Sequence, residues 1–137
     1  MLLGGMSVSK DIVLCVDDDP RALDACSTAV ASAGLRAVVA QNGEAGLELF
    51  IRRKDEICLV LTAIVLPAMS GIDMAKSILQ IDPQMKMLLM SGYGENVIEI
   101  QEENLFQLVR KPFIHSVLID RIRSILGTSD AADAAAR

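Results

Sequence analysis

The chain contains no tryptophan, one tyrosine and three phenylalanines in 137 residues. With aromatics at 3%, its core has to be assembled from Val, Ile, Leu, Met and Ala. Positive charge is also scarce. Thirteen Lys and Arg face 18 Asp and Glu, for a formal net charge of −5. That balance argues against broad electrostatic binding to DNA or acidic lipid, which needs a basic footprint. Cysteine is limited to Cys15, Cys26 and Cys58. Their number is odd, they lack metal-ligand spacing, and each lies among apolar neighbours. They read as reduced core residues of a cytoplasmic protein, with a reactive thiol as the lesser reading. No long hydrophobic run is present. The stretch Ile57 to Met69 is interrupted by Pro67 and is shorter than the roughly 20 residues of a membrane span. The first residues, Met1 to Met6, have neither a basic n-region nor an apolar h-region, so no signal peptide is expected.

What the chain does have is an apolar content of 52% with 23% charged residues, the composition of one globular domain. Short apolar runs alternate with helical patterns. Residues 11 to 16 read as a buried strand ending in Asp17-Asp18-Asp19-Pro20. Asp19 suits a helix N-cap and Pro20 a first turn. The helix runs to about Ala33, with Gly34 as its stop. Arg36 to Ala40 is a second strand. Glu44 to Lys54 is a second helix, with Leu47, Phe50 and Ile51 on one face. Ile57 to Thr62 is a third strand, Ile72 to Ile81 a helix, and Met85 to Met90 a fourth strand. Glu95 to Glu103 reads as a short acidic helix, Leu105 to Val109 as a fifth strand, and Phe113 to Leu126 as a last helix. Five strands alternating with five helices imply an α/β fold, a doubly wound parallel sheet covered on both faces. The expected domain covers residues 10 to 127. Residues 1 to 9 are an N-terminal tail, and the Ala/Asp-rich residues 128 to 137 are expected to be disordered.

In open sheets of this kind, ligands bind beyond the carboxyl ends of the strands at the topological switch point. Asp17 and Asp18 follow strand one, Ala63 strand three, Ser91 strand four, and Lys111-Pro112 strand five. Each has a bland reading. The acidic run can be only a helix N-terminus, Lys111-Pro112 a helix start, and Ser91-Gly92 a turn. The run Leu66-Pro67-x-Met69-x-Gly71, following an apolar strand that ends in Thr62-Ala63, is the most specific piece.

Taken in order, these segments resemble the receiver domain of two-component response regulators. The resemblance covers about Lys10 to Gly127 and implies the flavodoxin-like strand order 2-1-3-4-5. It implies that Asp17 and Asp18 help bind Mg²⁺, with the backbone carbonyl of Val65 as a further ligand. Ser91 would hydrogen-bond the phosphoryl group, and Lys111, followed by a cis-linked Pro112, would pair with its charge. A histidine kinase or histidine phosphotransfer protein would be the partner and phosphoryl donor. Phosphoryl transfer asks mainly for positioning and charge neutralisation, and this set suits that task.

The chain departs from the pattern twice. Ala63 stands where the family carries its phosphoacceptor aspartate, so the nucleophile is missing and Mg²⁺ binding is expected to weaken. Thr62 and Asp73 do not substitute, since strand alternation points Thr62 elsewhere and Asp73 starts a helix away from the rim. Leu108 stands where the family often has an aromatic that moves inward on phosphorylation, which implies a different or weaker coupling on that face; Ser91 and Leu108 are the expected switch positions. Two origins for Ala63 stay open: an engineered non-phosphorylatable form, which the retained Asp17, Asp18, Ser91 and Lys111 favour, and a natural pseudo-receiver acting as a protein-interaction module. A haloacid-dehalogenase-like phosphohydrolase, suggested by Asp17-x-Asp19, is the alternative of a different class. It lacks an acidic pair after a later strand. Otherwise the chain is not expected to be an enzyme.

Overall fold

The computed structural model describes residues 10–92 and 107–127. Strand β1 (Ile12–Val16) leads into α1 (Pro20–Ser32). Then follow β2 (Arg36–Ala40), α2 (Gly43–Arg53), β3 (Ile57–Ala63), α3 (Gly71–Ile81), β4 (Met87–Ser91), β5 (Gln107–Arg110) and α4 (His115–Ile125). The strands form one five-stranded sheet of order β2-β1-β3-β4-β5, and all neighbours are parallel. This is the expected fold. Four helices lie among the described residues. The expected helix at 95–103, both tails, and the first part of the expected fifth strand lie outside them.

Strand position follows from composition. β1, β3 and β4 are near-continuous apolar runs, and almost all of their residues are buried. Only an interior strand with helices on both faces can bury such a run. β2 and β5 carry Arg36 and Arg110, exposed at the two edges, where charge discourages further pairing. Arg36 is tied down by a two-pronged bond, Nε to Asp11 Oδ2 and Nη2 to Asp11 Oδ1, both 2.9 Å.

The helices bury the faces their periodicity marks. α1 turns Leu23, Cys26, Ala29 and Val30 inward, and Asp19 caps it by accepting from the Arg21 amide. Asn42 and Ser70 cap α2 and α3 in the same way. α1 packs on α4, and α2 on α3, so the two pairs cover opposite faces of the sheet. Phe50, fully buried, anchors α2. Ile51, expected beside it, is 53% exposed. The inward face of α2 runs through Gly43, Gly46 and Phe50 instead, because small residues there let the helix approach the sheet. Strand four starts two residues later than expected and includes Ser91. α4 starts at His115 rather than Phe113, because Ile114 is still extended, at φ −83° and ψ 137°, and forms the N-cap.

Candidate functional site

The strand order reverses between β1 and β3, so the crevice opens at the carboxyl ends of these two strands. Register brings the candidate residues together there. Val16 pairs with Thr62, Ala63 with Met90, and Ser91 with Arg110. Asp17, Ala63, Ser91 and Lys111 are thereby collected on one rim, each at or one residue beyond a strand end.

Asp17 is the electrostatic centre. It is 1% exposed, and a buried carboxylate needs partners for both oxygens. Oδ1 accepts the backbone N–H of Asp19 at 3.0 Å. Oδ2 accepts the Lys111 ammonium at 2.6 Å. Lys111 is held in reach by its own backbone N–H, which donates to the Ser91 carbonyl at 2.7 Å. The Lys111–Pro112 bond is cis, as expected. Beneath the carboxylate lies Cys26, its thiol pushed up to about 12 by burial first and by the Asp17 charge second, with Lys111 opposing. Its Sγ donates to Met90 Sδ at 3.4 Å.

Ala63 is buried and closes β3. Thr62 is fully buried, and its hydroxyl donates to the Ala63 carbonyl at 2.9 Å. The loop after Ala63 folds back tightly. Gly71 N–H donates to Ile64 O at 2.8 Å, and a Cβ on Gly71 would stand 1.8 Å from the Ala63 carbonyl oxygen. Only glycine permits that approach. Ala68 takes the turn at φ 64°, in the left-handed region.

Asp18 is exposed, and so is Val65, at 64%. Leu108 is half-buried on β5, packed against Ile64, Leu89 and Ile72 in a small cluster apart from the main core. Asp73 sits exposed in the first turn of α3, its N–H donating to Ser70 Oγ. A cavity of about 500 Å³ opens beside Lys111, between Arg21, Ala22 and Ala25 of α1 and Pro112 and Phe113 of the next loop. Sequence reasoning missed the direct Asp17–Lys111 bond. It also missed the role of the Asp19 amide, which the acidic run hides because only the side chain of Asp19 signals a cap.

These features define a parallel α/β domain with a charged rim at its switch point, and comparison with known proteins specifies its family. The response regulator receiver domain profile matches residues 13–123, and the chain belongs to that family. Among curated relatives, response regulator protein TmoT of Ectopseudomonas mendocina is 27% identical over 126 residues, 88% of this chain and 55% of TmoT. The phosphate regulon transcriptional regulatory protein PhoB of Pseudomonas aeruginosa is 27% identical over 90% of this chain and 55% of its own length. The chain thus spans about half of these two relatives. A receiver domain protein from Clostridium thermocellum superposes with a TM-score of 0.78 at 25% identity, covering 88% of this chain and 98% of that one. Chemotaxis protein CheY4 of Vibrio cholerae shares the fold with a TM-score of 0.75 at 18% identity, over 86% and 98%.

Receiver domains generally bind Mg²⁺ at the acidic pocket and interact with histidine kinases or phosphotransfer proteins. As arranged here, the donor set does not fit that ion. Mg²⁺ demands near-octahedral oxygen ligands, yet Asp17, the one buried carboxylate among the described residues, already has its charge balanced by the Lys111 ammonium, which would repel a second cation. Among the described residues, no group of three or more His, Cys, Asp and Glu is placed to hold a metal.

Proposed function

We propose that this chain is a receiver domain of two-component signalling with Ala63 at the phosphoacceptor position, so that it binds its phosphoryl-donor partner without accepting the phosphoryl group. One observation carries the reading: Ala63 ends β3 at the switch point, on the same rim as Asp17, Ser91 and Lys111. Transfer needs a carboxylate oxygen to attack phosphorus as the bond to the donor breaks. A methyl group has no lone pair to offer. The partner would be a histidine kinase or histidine phosphotransfer protein. The cavity between α1 and Lys111-Pro112-Phe113 is where its side chain would approach. Any output through Leu108 and β5 would be set by binding alone.

The retained Asp17, Asp18, Ser91 and Lys111 support an introduced substitution that disables a working switch. The Asp17–Lys111 bond favours the second reading, a pseudo-receiver built to interact without phosphate. Intact-mass measurement of this chain and its Ala63→Asp form, each with Mg²⁺ and acetyl phosphate, separates the two. Gain of one phosphoryl group by the aspartate form alone supports the disabled switch. No gain by either supports the interaction module. Gain by the unaltered chain contradicts both.

A further inference from the structure

We infer that the Lys111 ammonium takes the place of the divalent cation in this chain, making the acidic pocket complete without a metal. The inference rests on the proposed function for the expectation that a metal and an acceptor carboxylate belong on this rim. The Asp17–Lys111 ion pair itself stands on geometry.

Asp17 is 1% exposed, and Lys111 is 28% exposed in its side chain. The carboxylate has therefore left water almost entirely, and its charge has to be balanced locally. Lys111 Nζ sits 2.6 Å from Oδ2, and the Asp19 amide sits 3.0 Å from Oδ1. Each oxygen keeps a second lone pair, but a cation bound to Asp17 would stand beside the Lys111 ammonium, and like charges in a site closed to water repel strongly. The amide is neutral and fixed by the turn into α1, so the ammonium is the group that has to leave. A displaced ammonium needs another anion on this rim. Ala63 offers a methyl group where a carboxylate would have received it. Asp19 is already committed, accepting the Arg21 amide at 3.0 Å and pairing with the Arg21 guanidinium at 3.5 Å. Asp18 is exposed, where an ion pair in water gains little over separate hydration. Loss of the acceptor carboxylate and retention of the lysine thus act together. The lysine falls back on Asp17, and the metal loses its one buried ligand.

The chain would then keep one charge arrangement at any Mg²⁺ concentration found in a cell, and partner binding would be insensitive to the metal. The test is a Mg²⁺ titration of the unaltered chain at matched ionic strength, followed by thermal unfolding and by backbone amide shifts of Asp17, Asp19 and Lys111. Expected are an unchanged Tm and unmoved amides between chelator and millimolar Mg²⁺. A Tm that rises with Mg²⁺, or amides that shift and saturate, would overturn the inference, whatever the outcome of phosphoryl transfer to Ala63→Asp. Lys111→Met supplies the complement. It is expected to unfold at lower temperature in chelator and to recover with Mg²⁺, because Asp17 is freed. Stability equal to the parent in chelator would also count against the ion pair. If Lys111→Met does not fold, the titration of the unaltered chain still decides.

Discussion

Ala63 is the residue of the rim on which the proposed function turns. It is buried, pairs in register with Met90, and accepts the Thr62 hydroxyl through its carbonyl, contacts that an aspartate backbone would also make. An aspartate at this position would put a second carboxylate on the rim that holds Asp17. Two carboxylates sharing a buried site repel, and one must protonate or find a cation. Ala63→Asp is therefore predicted to lower stability in metal-free buffer, by about 1–3 kcal/mol as is usual for a newly buried charge, and to regain it with Mg²⁺. Denaturant midpoints with and without chelator check this. Equal or higher stability in chelator would show that the rim absorbs the extra charge unaided. The residue identities on the rim were legible in the sequence. The Asp17–Lys111 bond was not, because no local pattern says which of several nearby anions a long flexible side chain will choose.

At the scale of elements, the site is held by how β3 turns into α3. Gly71 lies so close to the Ala63 carbonyl that an added Cβ would overlap it at 1.8 Å. The neighbour is backbone, which cannot swing aside as a side chain would. Gly71→Ala is predicted to cost roughly 3 kcal/mol or more, the class of effect produced by backbone overlap in a core, and to disturb residues 63 to 71 first. Thermal unfolding and amide shifts over that loop would check it. A near-neutral effect would mean the loop has freedom that the Gly71–Ile64 bond argues against. The helices and central strands could be read in advance because their signals are local. Asp19, Asn42 and Ser70 mark helix starts, and continuous apolar runs mark interior strands. Ile51 misled because apolar spacing alone does not reveal that the inward face is rotated to run through Gly43, Gly46 and Phe50, with Gly46 close against Val16 and Met74 and Gly43 close against Met69. The start of α4 was misplaced because its N-cap, Ile114, makes no side-chain cap bond and so carries no polar signal of a helix start.

Across the whole molecule, the buried thiols couple stability to alkaline pH. Burial raises Cys15, with Cys26 adding to the effect, and raises Cys26 to about 12 from an ordinary 9.0. A group whose folded value is raised stabilises the fold below its unfolded value and loses that contribution as pH rises toward the folded one. Stability is thus predicted to hold below pH 9.0 and to fall between 9.0 and about 12. Cys26→Ala should flatten this fall, read as the change of denaturation midpoint with pH; an unaltered slope would assign the fall to other groups. The sheet order was legible through the family resemblance; right-handed crossovers alone narrow the arrangements without choosing one. The partner, by contrast, is not written in any strand or helix. Recognition depends on surfaces such as the cavity beside Lys111, whose shape emerges only when α1 and the β5–α4 loop come together.

The central claim is that residue 63 is the phosphoacceptor position. Its most direct test is site mapping of the Ala63→Asp form after treatment with Mg²⁺ and acetyl phosphate. Borohydride reduction converts an aspartyl phosphate to homoserine, which peptide mass spectrometry then locates. The account predicts homoserine at position 63 and nowhere else. Homoserine at Asp17, Asp18 or Asp73, with position 63 unmodified, would contradict it.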